Sequence, residues 1–303
     1  MSLPIVHHPD YVAPLRAGHS FPMSKYGYLR LGLERRGLMG PGTWLAPAPA
    51  PLTMLHLAHD VGYVERCLTL TLSPDEVRRI GLPQTEQVIR RARLAASGAT
   101  LAARLALEHG IACNGAGGSH HAGPAGGSGY CVFNDVAVAA ATLLAEGRVG
   151  RVMVIDADVH QGDGTATIFA DDPRVFTLSV HAERNFPARK ARSDLDIGLH
   201  DGMMDGAYLA TLAEAVAAAF SLFSPDLVFF NAGVDVHLED RLGRLALSDR
   251  GLRARDRYVL SAVRQRGIPV VGVLGGGYAA DPAIVAERHA VLFEEAAALT
   301  TAA

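Results

Sequence analysis

Arg151-Val152-Met153-Val154-Ile155-Asp156-Ala157-Asp158-Val159-His160-Gln161-Gly162-Asp163-Gly164 runs from an unbroken apolar, β-branched stretch straight into a polar cluster. An apolar run without alternation predicts a strand buried on both faces, the kind found in a parallel sheet covered by helices. Three more such runs follow, Val175–Val180, Asp226–Asn231 and Ile268–Leu274. Between and after them, Asp205–Phe223, Asp249–Gln265 and Asp281–Leu299 have helical composition. Upstream, Ser73-Pro74 with Asp75 and Glu76 reads as a helix start. Thr85–His109 reads as a long helix stopped by Gly110, and Asn134 as the cap of an Ala-rich helix reaching Gly147. Ala46–Pro51, with alternating prolines, is expected to be an extended surface loop. With no linker in sight, residues 1–303 are expected to form a single three-layer α/β/α domain with a mainly parallel central sheet.

Hydrophobic residues at 49% and charged residues at 19% exclude wholesale disorder. A net charge of -3 argues against a protein that coats nucleic acid. No apolar run approaches the ~18 residues of a membrane span. Met1–His8 lacks the basic flank and long apolar stretch of a signal peptide. Cys67, Cys113 and Cys131 form no CxxC, so no disulfide framework is expected, and a reducing, cytoplasmic compartment fits.

Ligands of open parallel sheets bind beyond the carboxyl ends of the strands, where this chain places its chemistry. Asp156, Asp158, His160 and Asp163 follow the first run, His181 the second, Asn231 to His237 the third, and Gly275-Gly276-Gly277-Tyr278 the fourth. Gly117-Gly118-Ser119-His120-His121 precedes them all. Asp158 and His160, two apart, point the same way in extended chain. With Asp235 from another strand they make a three-ligand site suited to Zn²⁺ or Fe²⁺. Asp156 either orients a histidine or holds a second, harder cation. His120 and His121, near Asp156 and Asp163, suggest two His–Asp dyads whose carboxylates raise the imidazole pKa. Tyr278 on its glycine approach suits a donor to a developing oxyanion. Taken singly, these residues also fit plain roles as strand-end caps, surface histidines and turns; the convergence of all of them on one rim favours a hydrolytic site.

In order, spacing and type, Gly118-Ser119-His120-His121-Ala122, Asp156–Gly164, Asn231–Asp235 and Gly275–Tyr278 resemble the motifs of the zinc-dependent histone deacetylase superfamily over nearly the whole chain. Gln161 and the opening His19–Tyr26 are similar to the class IV branch and its bacterial relatives. The resemblance implies an arginase/deacetylase-like fold, with Asp158, His160 and Asp235 as zinc ligands. It makes His121 the base and then acid, partnered by Asp163. His120 with Asp156 tunes the site, and Tyr278 donates to the scissile carbonyl. It further implies an inner K⁺ site at Asp156, Asp158, His160, Ser179 and Val180, and an outer one around Phe169, Asp172 and Val175. Gly129, Tyr130, Phe186 and Leu242 would wall an acyl-lysine tunnel, although Tyr130 and Phe186 also suit ordinary core packing. Where the lysine deacetylases carry a rim Asp, Arg79-Ile80-Gly81-Leu82-Pro83 offers no carboxylate. The implied reaction is hydrolysis of acyl-lysine to carboxylate and free amine. Acetylpolyamines or other small amides are alternative substrates. A catalytically inactive acyl-lysine-binding protein and an arginase-like binuclear hydrolase are the other readings.

Overall fold

Strands β1 (Ile5–Val6), β2 (Trp44–Leu45), β3 (Ile111–Asn114), β4 (Val152–Asp156), β5 (Val175–Ala182), β6 (Leu195–Leu199), β7 (Leu227–Asn231) and β8 (Val270–Val273) hydrogen-bond into one sheet in the order β2-β1-β3-β8-β7-β4-β5-β6. Every pairing is parallel. This is a computed structural model, describing residues 2–40 and 44–300. The helices are α1 (Lys25–Arg35), α2 (Leu52–Leu55), α3 (Val61–Leu68), α4 (Pro74–Ile80), α5 (Glu86–His109), α6 (Asp135–Ala145), α7 (Asp163–Ile168), α8 (Asp205–Leu222), α9 (Asp249–Arg264) and α10 (Pro282–Thr300). They flank the sheet as the α/β/α reading expects: α1, α10, α9 and α8 pack in a row, and α5 packs on α6. All residues of β3, β4, β5, β7 and β8 are buried, which is why those strands carry continuous apolar runs.

The expected caps form. Ser73 and Glu76 close a reciprocal capping box on α4. The Thr85 hydroxyl accepts from Val88 N at the start of α5, and the Asn134 amide oxygen accepts from Ala137 N at the start of α6. Four strands lie outside the sequence reading. β1 and β2 are two residues each, too short to show a period. β3 follows directly on the stop of α5, and β6, at the sheet edge, alternates exposed and half-buried residues instead of running apolar.

The 46–51 segment departs from a plain surface loop. Ala50 is fully buried, its N–H bonds the Arg93 carbonyl, and its own carbonyl accepts from Arg93 Nε. The prolines hold the chain extended, and α5 supplies the partners that its backbone needs.

The order of strands places the site. β3, β8, β7 and β4 are consecutive across the centre of the sheet. The loops leaving their carboxyl ends carry His120 and His121, Tyr278, Asp235, and Asp158 with His160, in that order.

Candidate active site

β4 ends at Asp156, so Asp158 and His160 sit on the loop after it and not on extended strand. The loop folds back on itself: Asp156 Oδ1 accepts from Asp158 N at 3.1 Å, and Asp158 Oδ1 accepts from His160 N at 3.0 Å. These turns, and not strand alternation, bring the two side chains together. His160 Nδ1 lies 3.1 Å from Asp158 Oδ1 and 3.1 Å from Asp235 Oδ2. One ring nitrogen cannot serve both acceptors with one proton. Asp235 Oδ1 accepts from Val159 N, whereas its buried Oδ2 has no hydrogen-bond partner. Gly276 N donates to Asp158 Oδ2 at 2.6 Å, and a Cβ at Gly276 would overlap Asp235 Oδ2.

Two buried carboxylates beside one imidazole repel each other across a medium that screens poorly. Burial and the adjacent Asp158 raise the pKa of Asp235. Burial works the same way on Asp158, but the His120 and His160 imidazoles outweigh it and hold its carboxyl well below the usual range. Ligand atoms from Asp158, His160 and Asp235 lie within 4.8 Å of one another. Two hard oxygens and one nitrogen, one oxygen of them orphaned, fit a divalent cation.

Each expected dyad is present. His120 Nδ1 is 2.7 Å from Asp156 Oδ2, and His121 Nδ1 is 2.6 Å from Asp163 Oδ1. Their electrostatics differ, contrary to the expectation that both carboxylates raise their histidines. Burial opposes a charge on His120, yet Asp156 and Asp158 together overcome it and raise its pKa to about 9. Burial and the charge on His120 lower His121 to about 4, against the pull of Asp163. The ring centroids are 4.1 Å apart, so one imidazolium suppresses the next. Nδ1 of His121 is engaged by Asp163, which leaves Nε2 free.

A cavity of 340 Å³ opens above these groups, with His121, His160 and Tyr278 in its lining. Gly129, Tyr130, Phe186 and Leu242 form walls, and Arg78 and Arg79 also line it. Phe186 and Leu242 are each 41% exposed, too open for core packing. Phe186 stands edge-on to His121 at 4.8 Å, and Tyr130 lies 5.8 Å from Tyr278. Burial pushes the Tyr278 phenol well above its ordinary pKa, which keeps it a donor.

Several residues support the site in ways the sequence did not show: Asp135, Asp240 and Arg241 carried no signal there, and Asn231 and Gln161 stood only as parts of motifs. Asp135, at the start of α6, accepts from Gly118 N and Ser119 N and so hangs the His120–His121 loop. Asp240 accepts from Tyr278 N, and Arg241 donates to the Tyr278 carbonyl. Asn231 donates to Asp156 at 2.9 Å. Gln161 bonds both backbone groups of Ala191, tying the 184–192 segment to the His160 loop. Each bridges distant parts of the chain, which no local pattern reveals. Of the expected inner K⁺ set, Asp156 lies opposite Ser179 where β4 pairs with β5, Val180 follows on β5, and Asp158 and His160 lie on the loop after β4. In the outer set, Phe169 O and Asp172 O accept from Asp172 N and Val175 N in the turn before β5.

The histone deacetylase domain model matches residues 19–293. An uncharacterized protein of Picosynechococcus sp. is 48% identical over 98% of this chain and 99% of its own length. Histone deacetylase 2 of Arabidopsis thaliana is 32% identical over 86% of this chain and 70% of its own. A probable deacetylase of Methanothermobacter thermautotrophicus is 28% identical over 90% and 85%. Among solved structures, the HDA15 HD domain superposes with a TM-score of 0.79 at 23% identity, covering 97% of this chain and 88% of that one.

Proposed function

The chain belongs to the histone deacetylase family, a family of hydrolases, and from that membership we propose that it is a zinc-dependent deacylase cleaving the amide of acyl-lysine. One observation carries this reading: the orphaned Asp235 Oδ2 faces Nδ1 of His160, which lines the same cavity as His121 and Tyr278. Asp158, His160 and Asp235 would hold the zinc. When bound, a zinc ion polarises a carbonyl and acidifies a water.

The chain's own groups supply the rest. Neutral His121 accepts the proton of the attacking water at Nε2 and later delivers it to the leaving amine. Asp163 keeps the Nδ1 proton in place through both transfers. Charged His120, held by Asp156, keeps His121 unprotonated before reaction. The Tyr278 hydroxyl donates to the substrate carbonyl oxygen as negative charge grows there. Tyr130 and Phe186 flank the aliphatic stem of the substrate. K⁺ at Asp156 and Ser179 would be a structural cation. Cys67, Cys113 and Cys131 are free and buried, which suits a reducing compartment, and we assign the enzyme to the cytoplasm on that ground.

The test is a panel of fluorogenic acetyl- to long-chain acyl-lysines, assayed before and after chelation and after adding zinc back. Turnover lost with the metal and restored by it is the expected outcome. A zinc-loaded, folded protein that binds acyl-lysine but turns over none of the panel would instead be an acyl-lysine reader.

A further inference from the structure

The mouth of the cavity is positively charged. The 340 Å³ cavity above the site has Arg78 and Arg79 in its lining and no Asp or Glu. A second cavity of the same size adjoins it, sharing Gly81, and is lined by Arg16, His19, Val77, Leu82 and Pro83, again with no carboxylate. Arg78 is ion-paired with Asp75 on its own helix. Among the described residues, neither Arg16 nor Arg79 has an ion-pair partner.

Arg79 is set at the mouth by its backbone. The Arg79 carbonyl accepts from Gly129 N at 3.1 Å, and the next carbonyl, Ile80 O, from Tyr130 N at 2.7 Å. The end of α4 is thereby sewn to the segment that walls the tunnel. Gly81 closes the helix at φ +75°, where a Cβ would press on the Tyr130 ring at 3.1 Å. This fixes Arg79 in the cavity lining, beside the wall past which the amine-side portion of a bound acyl amine would leave the tunnel.

Resting on the deacylase reading, we propose that this mouth selects acyl amines whose amine-side portion carries a carboxylate, received by Arg79, with Arg16 reaching it along the adjoining cavity. The overall reaction is unchanged: water cleaves the amide, and the products are the acyl carboxylate and an amine that still bears its own carboxylate. Acetylpolyamines, cationic along that portion, are repelled by the same arginines. Two sources supply the carboxylate, the α-carboxylate of free acyl-lysine or an acidic side chain next to acyl-lysine in a peptide.

Both are tested by kcat/KM on matched pairs. The first pair is Nα-blocked Nε-acetyl-lysine as free acid and as carboxamide; the second is an acetyl-lysine peptide with Asp or Asn beside the acetylated residue. The acid of at least one pair is expected to be favoured about three- to tenfold at low salt, the scale of one partly exposed charge-assisted contact. The preference should shrink as ionic strength is raised. Arg79→Gln brings the ratio towards one and Arg79→Glu takes it below one. Preference within the first pair identifies the α-carboxylate, and within the second a flanking acid. Ratios near one in both pairs, unmoved by salt or by Arg79→Glu, overturn this proposal and leave the deacylase reading standing. Failure of the zinc-loaded enzyme to cleave any of the four compounds overturns both. Should an Arg79 variant not fold, the wild-type ratios and their salt dependence decide alone.

Discussion

Two neighbouring histidines with the same kind of partner take different protonation states, His120 charged and His121 neutral, because His120 sits between two carboxylates and His121 beside an imidazolium. Pairs of titratable groups pushed apart in this way divide the labour of acid–base chemistry. In the proposed mechanism Tyr278 would make its contribution where charge develops. Tyr278→Phe keeps the ring and removes one donor, so kcat should fall by about 10²–10³ with KM nearly constant and zinc still bound. Parallel measurement of kcat, KM and zinc content checks this, and a near-normal kcat would put the oxyanion in other hands. Gly276 is required for a different reason: the Asp235 carboxylate occupies the space of any side chain there. Gly276→Ala and Asp235→Ala should both lose zinc on dialysis while far-ultraviolet circular dichroism stays native. Retention of one zinc per chain in Asp235→Ala would remove it from the ligand set.

At the scale of elements, the site is held by residues that join loops to helices. Asn134 caps α6, and its amide nitrogen donates to Ala122 O, next to His121, and to Thr165 on α7. Asn134→Ala removes a cap worth about 1 kcal/mol and leaves two buried oxygens without that donor, at about 1–3 kcal/mol each. The urea midpoint should drop accordingly; a shift no larger than that of an exposed cap would show that the other two bonds contribute little. Gln161 fastens the segment bearing Phe186 to the loop of Asp158 and His160. Gln161→Ala should raise KM for acyl-lysine more than it lowers kcat, since it loosens a wall and leaves the reacting groups in place. An unchanged KM would mean that the wall is held by other contacts. The helices were readable where their ends carry chemistry, as with Ser73, Thr85 and Asn134. α1 and α3 were not: neither N-cap side chain makes a capping bond, and neither segment has the long Ala-rich composition by which α8, also uncapped, was read.

For the whole molecule, burial holds six histidines towards the neutral form: His7, His59, His121, His181, His237 and His289. Burial lowers His7, His59 and His121 from 6.5 to about 4 each. The unfolded chain therefore binds protons at higher pH than the folded one, and stability falls as pH drops from 6.5 towards 4. His120 has the opposite sign: its pKa is raised to about 9, so its contribution is complete below 6.5 and lost as pH rises through 9. Asp235, raised to about 7, takes up its proton in the folded state over the acidic range and offsets part of the loss from the neutral histidines, so metal-free protein should lose stability between pH 7 and 4.5 in urea titrations. A flat profile over that range would place these rings in contact with water. What the chain determined by itself was everything set by neighbours: four buried strands from their apolar runs, the helix caps, and the order in which Asp158, His160, Asp235 and Tyr278 appear. The α/β class follows from these, since strand and helix periods are local properties. Only the tertiary structure decided what depends on contacts across the chain. The junction of Asp158 with Gly276 spans 118 residues, and the convergence of Asp158 and His160 comes from a turn and not a strand. The unequal charges of His120 and His121 arise likewise from groups that meet only on folding, as does the meeting of Arg16 with the 79–83 stretch, whose lack of a carboxylate was already legible. Electrostatic energy depends on distance and burial in space, and sequence separation carries neither.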